Sequence, residues 1–185
     1  MFILASKSPR RKEILSKIIK DFEIIEAHID ERSVNLPAYQ LSYDLCKRKA
    51  YDVFSSHLND VVIACDTIVV YKGEIFNKPA DEKDAYRMLK TLSNNHHIVL
   101  SSYTIISKDF EINKTVRSDV YFNDLSDELI TSYIKSGSPM DKAGAYGIQD
   151  NEKYPLIKKI IGSFDNIKGL PIEDLTKDLK RLKLI

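Results

Sequence analysis

Cysteine is scarce in this chain. Cys46 and Cys65 are the only two in 185 residues, and they give neither a disulfide framework nor a metal-binding spacing. Cys65 lies in an apolar, strand-like stretch and Cys46 in a helical one. Both therefore read as reduced core residues, consistent with a reducing compartment. Net charge is nearly absent too: 28 Lys and Arg stand against 27 Asp and Glu, a formal +1. Delocalised nucleic-acid binding needs a clear basic excess, so this balance argues against it, although a focused phosphate pocket is still allowed. No apolar run is long enough to span a bilayer. The longest, residues 61–70, is broken by Asp66 and Thr67. Charges at Lys7 to Lys12 interrupt the N-terminus before any signal-peptide core. The expectation is a cytoplasmic protein with no membrane and no nucleic-acid partner. The four histidines show no zinc spacing, which argues against histidine-based chemistry. No repeat, low-complexity tract or flexible linker is visible.

What remains is an ordinary globular composition, 43% hydrophobic and 30% charged, long enough to bury a core as one domain over residues 1–185. Apolar periodicity predicts strands over residues 2–5, 22–25, 61–71, 74–76, 97–107, 112–122 and 154–161. It predicts helices over 9–20, 37–56, 81–92, 126–135 and 171–182. Residues 26–36 read as a polar loop, 137–149 as an unusual glycine-containing loop and 162–169 as a connector. Strands and helices intermix, and the paired strands near 61–76 and 97–122 argue against a purely parallel sheet. The class is α/β with a mixed sheet flanked by helices.

Several places could carry chemistry. Ser8 reads as an N-cap and Pro9 as the first helical residue, so Arg10, Arg11 and Lys12 crowd a helix start. The dipole disfavours each cation there by about 0.3–1 kcal/mol. An anion such as phosphate would resolve the conflict; solvated surface charges are the alternative. Asp66 sits in a strand of Val, Ile, Ala and Cys, where a carboxylate needs a partner, a metal or a catalytic task. A strand-edge acid bonded to neighbouring backbone is the plainer reading. Lys78, in Asn77-Lys78-Pro79, is either a turn lysine or a cation folded back toward Asp66 by the preceding hairpin. The stretch 137–149 holds three glycines in thirteen residues, which allows close backbone approach to a ligand. Gln149 there offers both a donor and an acceptor to a base edge. The stretch is neither a Walker A loop nor a dinucleotide fingerprint. Glu31 and Lys49, taken singly, read as surface charges.

Taken together, these segments resemble the Maf family of nucleoside triphosphate pyrophosphatases. The matching stretches are Leu4-Ala5-Ser6, Ser8-Pro9-Arg10-Arg11-Lys12-Glu13-Ile14-Leu15, Asp66-Thr67-Ile68-Val69, Lys78-Pro79, the run from Pro139 to Gln149, and Gly169-Leu170-Pro171. Cys65 stands where the family usually has glycine or alanine, and Asp150 where glycine is frequent. The resemblance implies an elongated two-lobed α/β domain with a central cleft, of the Maf and ITPase type and often a homodimer. It implies hydrolysis of dTTP and UTP to the monophosphate and pyrophosphate, with Asp66 as proton acceptor. Arg10, Thr67 and Gln149 match positions linked to base selectivity. Glu31, Arg11, Lys49 and Lys78 match the polar shell around phosphates and metal, and Ser8 lies in the same basic turn. A carboxylate near pKa ~4 is a weak base for water near ~15.7, so a divalent cation, Mg²⁺ or Mn²⁺, held by Glu31 and Asp66, is expected.

Overall fold

The computed structural model describes residues 1–31 and 35–185. Strands β1 (Phe2–Leu4), β2 (Phe22–Ile24), β3 (Val61–Tyr71), β4 (Glu74–Phe76), β5 (His96–Ile106), β6 (Glu111–Phe122) and β7 (Ile157–Ile161) form one seven-stranded sheet. Its order is β2-β1-β3-β5-β6-β7, with β4 paired to β3 off that path. β1 is parallel to both β2 and β3, whereas β3–β4 and β6–β7 are antiparallel. The helices are α1 (Pro9–Leu15), α2 (Ala38–Phe54), α3 (Glu82–Leu92), α4 (Asp127–Lys135), α5 (Phe164–Lys168) and α6 (Ile172–Arg181). The mixed α/β class is therefore as the sequence indicates.

The chain forms two compact units. The first comprises Met1–Thr67, Ser101–Val116 and Asp165–Ile185; the second comprises Ile68–Leu100 and Arg117–Phe164. In the first unit the parallel strands separate two cores. Leu4, Ile63 and Cys65 pack with Ile14 and Leu15 of α1 and Leu175 and Leu179 of α6. Ile3, Ala5, Val62 and Ala64 point the other way and pack with Cys46, Ala50 and Val53 of α2. This is the two-residue alternation of a pleated strand covered on both faces, which is why residues 61–65 read as an unbroken apolar run.

In the second unit, α3 packs against α4, and two short 3₁₀ turns, Ser138–Asp141 and Ala143–Ala145, lie against α3, α4 and β4, with a third at Ile148–Asp150. The helix starts follow their sequence signals. Asp81 caps α3 by accepting from the Asp84 amide at 2.8 Å, and Ser126 caps α4 by accepting from the Leu129 amide at 3.1 Å.

The structure corrects three boundaries. α1 ends at Leu15 rather than near residue 20: the amides of Lys17 and Ile18 reach back only three residues, to Ile14 and Leu15, which closes the helix in tighter turns. The connector over residues 162–169 contains α5, whose Ile167 is buried. The strand expected over 154–161 begins only at Ile157. Residues 32–34, inside the polar loop expected over 26–36, lie outside the described residues.

Candidate active site

The first unit carries a topological switch point. From β1 the chain reaches its neighbour β2 through α1, on one face of the sheet. It then reaches β1's other neighbour, β3, through α2 on the opposite face. Connections that diverge in this way leave a crevice at the carboxyl end of the central strand. The Cα register of β1 with β3 ends at Leu4–Ile63, so Ser6 to Arg11 leave β1 alongside the stretch of β3 that holds Asp66 and Thr67.

Alternation along β3 turns these two neighbours to opposite faces. Asp66 lies on the α2 side and is only 6% exposed. Lys49 Nζ, from α2, donates to Asp66 Oδ1 at 2.7 Å and to Glu31 Oε1 at 2.7 Å. The ammonium is thus clamped between a buried and a half-exposed carboxylate. Burial works against the charged form of Lys49, but the charge of Asp66 and the hydrogen bonds to both carboxylates outweigh it and hold its pKa above the usual lysine value. The positive charge of Arg11 is close enough to oppose them. Asp66 Oδ2 is buried and has no hydrogen-bond partner among the described residues.

Thr67 lies on the α1 side, where Arg11 is fixed by three donors. Its Nε donates to Gly169 O at 3.0 Å, Nη1 to Ser6 Oγ at 3.2 Å and Nη2 to Thr67 Oγ1 at 3.3 Å. A guanidinium has five N–H groups, so two remain for an anion. Gly169 presents its carbonyl from a backbone φ of +130°, a conformation side-chain-bearing residues rarely adopt.

Ser8 caps α1, its side chain accepting from the Arg11 amide at 3.5 Å. Because α1 has only seven residues, Lys12 falls in its last turn, where the dipole favours a cation. The expected conflict at the helix start therefore narrows to Arg10 and Arg11. Arg10 is half-buried on the same turn.

Lys78 and Gln149 belong to the second unit. Lys78 is exposed beside Asn77, whose carbonyl accepts from the Gly144 amide at 3.1 Å. Gln149 is half-buried, and its Oε1 has no partner among the described residues. Around it, Asp150 Oδ2 accepts from Tyr133 Oη at 2.7 Å and from Ser138 Oγ at 2.6 Å. Buried Lys142 donates to Asp141 Oδ1 at 2.8 Å and to the Ser138 carbonyl. The departure at Asp150 thus has a local purpose: it ties two of the 3₁₀ turns to α4.

Tyr146 is a core residue. Its ring packs on His97 and Phe122, and its hydroxyl lies 2.7 Å from His97 Nε2. Sequence reasoning passed over Ser6, Ser101 and Lys142 as site-supporting groups. Ser6 lay within a quoted motif, but buried hydroxyls leave no periodic signal. The described residues contain no group of three or more His, Cys, Asp or Glu suited to a metal, and no helix long and apolar enough to cross a membrane.

Similarity to known proteins extends over nearly the whole chain. The family model described as Maf-like protein matches residues 1–182. A dTTP/UTP pyrophosphatase of Thermococcus gammatolerans is 43% identical over 177 residues, covering 96% of this chain and 94% of the relative. One of Clostridium perfringens is 42% identical over 184 residues, covering 96% and 95%. Among solved structures, the Staphylococcus aureus Ham1 protein aligns with a TM-score of 0.45 at 14% identity, covering 68% of this chain and 72% of that one. With the match running from residue 1 to 182, the chain belongs to the Maf-like protein family.

Proposed function

We propose that this chain hydrolyses nucleoside triphosphates, dTTP and UTP foremost, to the monophosphate and pyrophosphate, with Asp66 as proton acceptor. The names of its relatives support the substrate class. The observation that carries the mechanism is the state of Asp66: it is buried, with one oxygen held by Lys49 and the other without a partner among the described residues. Such an oxygen costs free energy until a ligand completes it.

A water donating into Oδ2 would satisfy it and lose its proton there. The water oxygen bonds to the α-phosphorus, the bridging bond to the β-phosphate breaks, and pyrophosphate leaves with the bridging oxygen. Lys49 holds Oδ1, which leaves Oδ2 for this task. Arg11, already fixed by three backbone and hydroxyl partners, offers its two remaining N–H groups to phosphate oxygens without losing further rotamer freedom. Lys78 and Gln149 take the roles the resemblance implies, neutralising phosphate and reading the pyrimidine edge.

The donor set fits a hard divalent cation. Asp66 and Glu31 are two carboxylates that share one lysine, and Mg²⁺ is commonly held by one or two carboxylates with substrate phosphates and water completing its shell. Mg²⁺ or Mn²⁺ bound there would supply water acidification and neutralisation of phosphate charge.

The test is a panel of dTTP, UTP, CTP and GTP with Mg²⁺ or Mn²⁺. Release of pyrophosphate, not orthophosphate, is expected, with dTTP and UTP preferred and with loss of activity in EDTA. Nucleotide binding without pyrophosphate release would overturn the reading and leave a non-catalytic nucleotide binder.

A further inference from the structure

We infer that Ser101 is a positioning residue that locks the Thr67 hydroxyl as a hydrogen-bond acceptor, so that the site selects a base presenting an N–H donor. The inference deepens the reading above and rests on Thr67 being a base-selecting residue.

Ser101 is fully buried in β5, in a stretch shared with Leu100 and Tyr103. A buried hydroxyl must be satisfied, and it carries one proton and two lone pairs. Ser101 Oγ lies 2.9 Å from the Asn166 carbonyl oxygen, which can only accept. The one proton of Ser101 is committed there. At its 2.8 Å contact with Thr67 Oγ1, Ser101 is therefore the acceptor and Thr67 the donor.

The alternative acceptor for Thr67 is Gly169 O, at 3.3 Å. That oxygen already takes Arg11 Nε at 3.0 Å and the Cys65 thiol at 3.1 Å, which fill its two lone pairs. Thr67 Oγ1 in turn accepts from Arg11 Nη2 at 3.3 Å. The polarity of the whole chain is thereby fixed, from Arg11 to Thr67 to Ser101 to the Asn166 carbonyl. Thr67 is half-buried, and with its proton given to Ser101 its oxygen can meet a ligand only as an acceptor.

A base meeting that oxygen must donate. Uracil and thymine carry an imide N–H between two carbonyls. Cytosine has a bare acceptor nitrogen at the same ring position, and two lone pairs facing each other repel. Fixed polarity of this kind discriminates more strongly than shape, because the wrong base leaves polar groups unpaired.

The experiment measures kcat/KM for UTP and CTP in wild type, Ser101→Ala, Ser101→Thr and Thr67→Val. Removing the Ser101 hydroxyl frees the Thr67 proton to turn toward the ligand. Ser101→Ala is expected to lower the UTP-to-CTP ratio about tenfold, mainly by raising turnover of CTP. Ser101→Thr restores the hydroxyl and is expected to keep the wild-type ratio. A purely structural role would lower both substrates together and leave the ratio unmoved, which would overturn the inference. If Ser101→Ala does not fold, Ser101→Cys decides, because a thiol is a poor acceptor and should give an intermediate ratio; a wild-type ratio there overturns the inference. Thr67→Val separates the two levels. An unchanged ratio in Thr67→Val defeats the base-selecting reading of Thr67 itself. A changed ratio there with an unchanged one in Ser101→Ala defeats only the role of Ser101.

Discussion

Asp66 and Lys49 are not symmetric partners, although they share a 2.7 Å contact. Lys49 has a second carboxylate, Glu31, whose side chain is 54% exposed and can turn to water. Asp66 has no second cation in hydrogen-bond contact among the described residues. Removing the lysine therefore strands a buried charge, whereas neutralising the acid does not. Lys49→Met is expected to cost about 3–5 kcal/mol of stability, and Asp66→Asn roughly 1 kcal/mol. The double variant should recover part of the Lys49→Met loss. Urea titration of the three proteins checks this order. On activity the ranking is different: Asp66→Asn should lower kcat by about 10²–10⁴-fold, because it removes the proposed proton acceptor. That Asp66 needs a partner was legible in sequence because an acid in an apolar strand demands an explanation. That Lys49 answers it was not legible, since seventeen positions separate the pair and only the crossing of α2 over the sheet brings them together.

At the scale of elements, the glycine-containing stretch resolves into 3₁₀ turns that present Gln149. A Cβ added at Gly147 would lie 2.5 Å from Gln149 Nε2 and 2.8 Å from Lys142 Cε, so both of these side chains must shift. The Gly147 backbone, at φ −121°, is compatible with alanine. Gly147→Ala should therefore fold, losing about 1 kcal/mol, while the preference among dTTP, UTP and CTP relaxes as Gln149 is displaced. A thermal melt alongside the nucleotide panel separates the two effects. The long strands and the helices α3 and α4 were readable nearly to the residue, because period and caps agree there. α1 was overextended for a physical reason. Ile18 and Ile19 continue the apolar stripe, but they do so in non-helical turns that still face the same core. A hydrophobic period reports burial, not the hydrogen-bond pattern that achieves it.

At the scale of the whole molecule, acid stability should fall in two stages. His97 is buried against Tyr146 and Phe122, and burial followed by the neighbouring charge of His96 lowers its pKa to about 3. An unfolded histidine titrates near ~6.5. Between those values the unfolded chain binds the extra proton, so stability is intact above pH ~6.5 and declines as pH falls, by up to about 1.4 kcal/mol per pH unit. Asp178 follows: burial opposes its charge, but Lys114 and the Tyr103 hydroxyl overcome this and hold its pKa below the usual carboxylate range. Its contribution is lost at still lower pH. His97→Gln should flatten the decline between about pH 6.5 and 4.5 in denaturant titrations and leave the lower limb intact.

The alternation at Asp66 and Thr67 also sets a rule for how this chain can change its length. One codon inserted or deleted between Val61 and Cys65 would exchange the two side chains, sending the acid toward α1 and Arg11 and the hydroxyl toward Lys49, while every neighbouring apolar residue changed sides with them. The reading frame of this one strand is therefore fixed twice over, by the interior it fills and by the two cations, Lys49 and Arg11, that its polar pair meets on opposite sides.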